Sequence, residues 1–147
     1  MTLEEQTSPP LTDITNENIS LKPKCQAILS LIAHFHQNKK EIQRAHLIRV
    51  LVKNSDKSSD DDNTIMEKDI IDRLQVLGEI HPKIMFNSIA NLDKKLKKLR
   101  KLGLITNQYM RGYPRIVLTS KGRMFFYSVL YSSFIFKTIT ELINKFH

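Results

Sequence analysis

Lys83 to Arg123 reads KIMFNSIANLDKKLKKLRKLGLITNQYMRGYPRIVLTSKGR, with eleven lysines and arginines and one acid, Asp93. Like charges gathered this closely repel one another unless a polyanion compensates them. The apolar residues in the stretch change period along it. Ile89, Leu92, Leu96 and Leu99 are spaced three, four and three apart, which is one face of a helix. Gly103 then interrupts, and Leu104–Tyr109 and Arg115–Thr119 read as two strands around a turn that holds Gly112 and Pro114. Thr119 is placed to cap a further helix. The stretch is therefore a basic helix of about residues 83–102, a hairpin over 104–119 and the start of a last helix.

On a wheel of 100° per residue, the basic helix carries a second stripe opposite the apolar one. It contains Asn87, Asn91, Lys94, Lys98 and Lys101. Amides lie toward its N-terminal half and ammonium groups toward its C-terminal half. A helix laid in a DNA major groove uses residues in that order: N-terminal side chains reach base edges, and later cations meet phosphates. Lys95 and Arg100 fall toward the packed side. In the hairpin, Arg111, Tyr113 and Arg115 surround the turn, where arginines would meet the backbone or the minor groove. The bland alternatives are a solvated lysine face, ordinary surface asparagines and a plain exposed turn.

Upstream, Ile28, Leu31, Ile32 and Phe35 form one face of a helix over Lys24–His36. Asn38 and Glu41 read as a capping pair for a second helix running to about Lys53, which buries Ile42, Ala45, Ile48, Leu51 and Val52. Residues 54–63, NSDKSSDDDN, have no apolar side chain and form an exposed loop. Thr64 and Glu67 make a capping box for a third helix, whose buried face is Met66, Ile70, Ile71, Leu74 and Leu77 and which Gly78 ends in a left-handed conformation. Residues 1–21 carry four acids and no lysine or arginine, and read as a disordered acidic arm.

Two stretches resemble the MarR and PadR type of transcription regulator. LKKLRKLGLI, Leu96–Ile105, is similar to the end of the recognition helix and its Gly-Leu-Ile step into the wing. RIVLTSKG, Arg115–Gly122, is similar to the second wing strand and the Leu-Thr-x-x-Gly turn into the next helix. The resemblance implies a winged helix-turn-helix, mostly α with a small β-hairpin and with extra N- and C-terminal helices. Residues 22–123 would be the DNA-binding domain, with recognition helix 83–102 and wing 104–119. The acidic 54–63 loop is longer than that pattern expects. Met110-Arg111-Gly112 stands where some such wings carry an Asp-Arg pair, so a salt-bridged wing is not carried over.

Residues 120–147 read as one long helix that is apolar on more than one side, a surplus that points to a second copy of the chain. Phe125, Val129, Phe136, Ile139, Ile143 and Phe146 are the dimerisation residues on this reading; the alternative is that the first helix covers the extra face. Dimerisation through terminal helices is also what the resemblance implies. Two recognition helices would then sit about 34 Å apart, one turn of DNA.

The chain has 147 residues, 41% of them hydrophobic, and a net charge of +8. That allows one domain with a small core. Excluding the acidic arm leaves +12. A single cysteine, Cys25, suits a reducing compartment and a packing role. Neither a leader nor a run long enough to span a bilayer is visible, so a soluble, cytoplasmic protein with no membrane partner is expected. His34 and His36 diverge on a helix, and His46, His81 and His147 add no ligand spacing. Asp60–Asp62 read as a solvated charge run. No catalytic constellation, metal site or cofactor motif is present, and no residue marks an effector pocket. The expectation is a homodimeric regulator of transcription that binds double-stranded DNA, not an enzyme. The alternatives are a winged-helix protein–protein module of a larger assembly and a non-specific architectural or replication-associated DNA binder.

Overall fold

The computed structural model describes residues 20–38, 42–53, 68–110 and 113–144. Most of the acidic arm, the 54–63 loop, the Thr64–Glu67 box, Met66, Arg111 and Phe146 lie outside the described residues, as do the side chains of Lys68, Asp69, Met110 and Tyr113.

The described chain is mostly helical and has a two-stranded antiparallel hairpin. Helix α1, Pro23–Gln37, forms where the apolar period predicts it. It is buried around nearly its whole circumference, from Cys25 to Phe35, rather than along one stripe. The extra faces are covered by elements from the C-terminal half of the chain. Leu21, assigned by composition to the arm, also belongs to this core, and the Gln26 side chain donates to its carbonyl at 2.8 Å.

Asn38 does not start the second helix. It closes α1, with its side-chain amide donating to the His34 carbonyl at 2.8 Å. Helix α2, Arg44–Leu51, starts after Gln43, whose backbone N–H donates to the His46 ring at 2.9 Å. Helix α3, Lys68–Leu74, and the single turn α4, Leu77–Ile80, replace one continuous third helix. Ile70, Ile71, Leu74 and Leu77 are buried as the period predicts. Gly78 is a correction: it sits inside α4 and takes no left-handed conformation. Close packing is its local constraint, since a Cβ there would come 2.7 Å from the Met85 sulfur.

The basic helix, α5, is Ile89–Lys101, six residues shorter at its start than the wheel suggests. Pro82–Ile84 instead form a 3-10 turn. The backbone then runs extended through Phe86, which bridges Val52 in parallel. Its N–H donates to the Leu51 carbonyl at 2.7 Å, and its carbonyl accepts from Lys53 at 2.8 Å. A backbone held this way cannot be helical, so the cap falls to Ser88, whose hydroxyl accepts from the Asn91 N–H at 3.2 Å. Leu92, Leu96 and Leu99 are buried, whereas Ile89 lies beyond the edge of the core and is 41% exposed.

Gly103, at φ 78°, ends α5. Strands β1, Ile105–Met110, and β2, Tyr113–Leu118, pair from Ile105 opposite Leu118 to Met110 opposite Tyr113. The strands start and end closer to the turn than expected, and Pro114 belongs to β2. The Ile116 N–H donates to the Ile42 carbonyl at 2.9 Å, so the segment ahead of α2 borders the outer edge of the hairpin.

Thr119 caps α6, Ser120–Phe125, accepting from the Gly122 N–H at 2.9 Å and donating to the Gly103 carbonyl. A Cβ on Gly122 would overlap the Leu104 carbonyl oxygen, so only glycine permits this close crossing. The expected single C-terminal helix is broken. Phe126–Leu130 take a π-helical turn, the chain bends at Tyr131–Ser133, and α7, Phe134–Asn144, packs back against α1. Ser133 serves the new start, its hydroxyl accepting from the Phe136 N–H at 3.2 Å. Phe125, Phe136, Ile139 and Ile143 are therefore buried in the chain's own core. This corrects the premise of a surplus face on an uninterrupted helix: a bend gives each half its own partner surface.

Candidate nucleic-acid interface

Helix α5 is positioned by three contacts of different kinds. Leu92, Leu96 and Leu99 fix its inner face in the core. At its C-terminal end, the Arg100 guanidinium donates to the Asn107 side chain on β1 at 3.1 Å. Near its start, the Arg44 guanidinium from α2 grips the Asp93 carboxylate through both oxygens, at 2.8 and 2.9 Å.

The Arg44–Asp93 fork decides the electrostatics of the face. Asp93 is the lone acid of the basic stretch. The Arg44 hydrogen bonds hold its carboxyl below the usual carboxylate range, and Asp93 in turn raises Arg44. The carboxylate is thus satisfied by a cation from another helix and does not offset the lysines beside it.

Asn87, Asn91, Lys94, Lys98 and Lys101 are all exposed. Asn87 stands just ahead of α5 rather than in its first turn, which follows from the later helix start. Ala90 and Lys97 are exposed on the same helix and were not selected by the wheel reading. Lys95 is half-buried, as expected, but Arg100 is exposed and tied to the hairpin, not packed inward. Burial pushes the Cys25 thiol up, and nearby Lys95 and Lys98 partly offset this.

The hairpin extends this surface. Asn107, Ile116, Ile105 and Leu118 share the face turned to the core, and the paired residues Tyr109 and Pro114 continue that face beyond it. Tyr109 is 71% exposed. It escaped the sequence reading because it alternates in phase with buried Ile105. The core simply ends before it. On the opposite face, Arg115 is half-buried and donates to Gln108, its cross-strand partner, at 3.0 Å. Arg111 and the Tyr113 side chain lie outside the described residues.

Among the described residues, no group of three or more His, Cys, Asp or Glu side chains is arranged to hold a metal ion, and no helix is long and apolar enough to cross a membrane. No protein-family model, curated protein or solved structure matches the chain. A functional reading therefore rests on the geometry of α5 and the hairpin.

Proposed function

We propose that the protein is a winged-helix regulator that binds double-stranded DNA and is not an enzyme. One observation carries the reading: the outward face of α5 bears lysines while its only acid is engaged by Arg44. A helix of 13 residues is about 20 Å long, and a B-DNA major groove about 12 Å wide admits it. Asn87 and Asn91 would meet base edges, Lys94, Lys98 and Lys101 phosphates, and the hairpin with Arg111, Tyr113 and Arg115 the flanking backbone or minor groove.

The Ile116–Ile42 hydrogen bond supports the winged-helix assignment. It brings the segment ahead of α2 against the β2 edge of the hairpin, where a winged helix would place it. Fluorescence anisotropy with a mixed-sequence duplex tests the function. Binding that weakens steeply with salt is expected, and a failure to bind any duplex at low salt refutes it.

A second reading, a protein–protein module, is favoured by one specific observation. Met124, Tyr127, Val129, Tyr131 and Phe134 are large apolar residues that remain exposed within eleven positions. The Tyr127 and Tyr131 rings lie 5.5 Å apart. Exposed apolar clusters of this kind mark association surfaces. The two readings combine in a homodimer that uses this cluster, with Val129 the member shared with the sequence-based set. Light scattering coupled to sizing should give twice the chain mass, and Tyr127→Ser with Tyr131→Ser should give one chain mass.

A further inference from the structure

The first turn of α5 has a composition that selects among base pairs. Its exposed residues are Ile89, Ala90 and Asn91, preceded by exposed Asn87. Ser88 between them is engaged in capping, its hydroxyl accepting from the Asn91 N–H. The first cation on the outward stripe is Lys94, a full turn into the helix. The only arginine of α5, Arg100, is at its far end and is tied to Asn107.

Guanine is read most often by a bidentate cation on O6 and N7, and adenine by an Asn or Gln amide on N6 and N7. Thymine alone presents a methyl group in the major groove, which small apolar side chains contact. The leading turn here offers two amides and a methyl-sized side chain and no cation. Ala90 lies about 40° from Lys94 on the wheel, on the outward side opposite Leu92 and Leu96, and Asn87 stands just ahead of the helix. With no longer side chain there, a base edge can approach the helix closely. Ile89, which periodicity would place in the core, adds exposed apolar surface on the flank of the same turn.

We infer that the first turn of α5 reads A·T base pairs, with Ala90 against a thymine methyl and the amides of Asn87 and Asn91 on adenine. This inference rests on the duplex-binding reading above. Lys94, Lys98 and Lys101 supply affinity without preference, and the Asn87–Ala90–Asn91 set supplies the preference.

The test uses the full chain and anisotropy at fixed salt with three duplexes of equal length. One is a mixed A·T sequence, one a mixed G·C sequence, and one the A·T sequence with deoxyuridine replacing thymidine. The A·T duplex should bind roughly tenfold more tightly than the G·C duplex. Loss of the methyls should weaken binding about fourfold per contacted thymine, the equivalent of one buried methyl group. Ala90→Gly should bind the thymine and uracil duplexes alike, and Ala90→Ser controls for any loss of helix in the glycine variant. Equal affinity for all three duplexes overturns the A·T inference and leaves duplex binding standing. An A·T duplex that loses no affinity when deoxyuridine replaces thymidine removes the Ala90 contact, and an A·T preference left unchanged by Asn87→Ala with Asn91→Ala assigns the preference to DNA shape; either result overturns the inference. No binding to any duplex removes the function proposal itself, and with it this inference.

Discussion

Replacing Lys94, Lys98 and Lys101 together by alanine isolates the electrostatic contribution of the helix face. All three are exposed and lie on the side of α5 opposite buried Leu92, Leu96 and Leu99, so their removal leaves the core untouched. Alanine is also a better helix former than lysine, which keeps α5 intact. The expected magnitude comes from counterion release. Each phosphate contact contributes about −0.9 to the slope of log affinity against log salt. If Lys83, Lys97 and Arg115 join the three stripe lysines, six contacts give a slope of about −5.4. Affinity then falls roughly a thousandfold or more between about 50 and 200 mM salt. The triple variant keeps three contacts, a slope of about −2.7 and a loss of roughly fortyfold over the same range. The assay is a salt titration of duplex affinity for both proteins, with circular dichroism to show equal helix content. Because the lysines are assigned to phosphates, the affinity loss should be the same for duplexes of different sequence. An unchanged slope in the triple variant would refute the docking of α5 on the duplex. A sequence-dependent loss would move the lysines from phosphates to bases.

Three further outcomes follow from local geometry. Gly122→Ala drives a Cβ into the Leu104 carbonyl, which is backbone and cannot rotate away; thermal unfolding should shift by an amount corresponding to about 1–3 kcal/mol of lost stability. Arg44→Ala leaves the Asp93 carboxylate uncompensated on the lysine-bearing helix, so on the proposed function duplex affinity should fall, while the stability cost stays within about 1 kcal/mol because the pair is largely exposed. With its folded-state pKa depressed, Asp93 contributes stability above the ordinary carboxylate pKa of about 4 and loses it as pH falls through the lower folded value; acid unfolding of Arg44→Ala should lack that component. Burial lowers the pKa of His34, so the folded state resists protonation while the unfolded chain takes up a proton below about pH 6.5; stability should be full above that pH and decline below it, and His34→Gln should flatten that decline.

The parts of the fold that could be read from the sequence are those decided within a few residues. Gly103 follows a basic amphipathic run and precedes β-branched and aromatic residues, so the helix end and the hairpin both follow from local preference. Thr119 with Gly122 three residues on is a local cap and was legible for the same reason. The start of α5 was not, because nothing between Lys83 and Asn87 forbids a helix. The deciding bonds join Phe86 to Leu51 and Lys53, more than thirty positions away in the chain. The C-terminal segment misled in the opposite way. Apolar residues on several sides of a supposed single helix imply an external partner, whereas with the chain bent at Tyr131–Ser133 Phe125, Phe136, Ile139 and Ile143 are buried inside and only a smaller set around Tyr127 and Tyr131 stays exposed.

The candidate site divides along the same line. Asn91, Lys94, Lys98 and Lys101 lie on one face because 3.6 residues make a turn, and that is visible in sequence. Whether the face is purely cationic is not, because Asp93 sits in its midst. The wheel treats Asp93 as one negative charge among the lysines, and the net potential would be reduced accordingly. What removes it is Arg44, supplied by α2 from the far side of the acidic 54–63 segment, with a bidentate geometry that also sets the position of α5. The pair therefore has two effects that are separable in experiment. Asp93→Asn removes the charge but retains an acceptor for Arg44, so a face that depends on charge alone should keep or gain affinity for duplex DNA. A face that depends on the position of α5 should lose affinity in Asp93→Ala, where no acceptor remains, to the same extent as in Arg44→Ala.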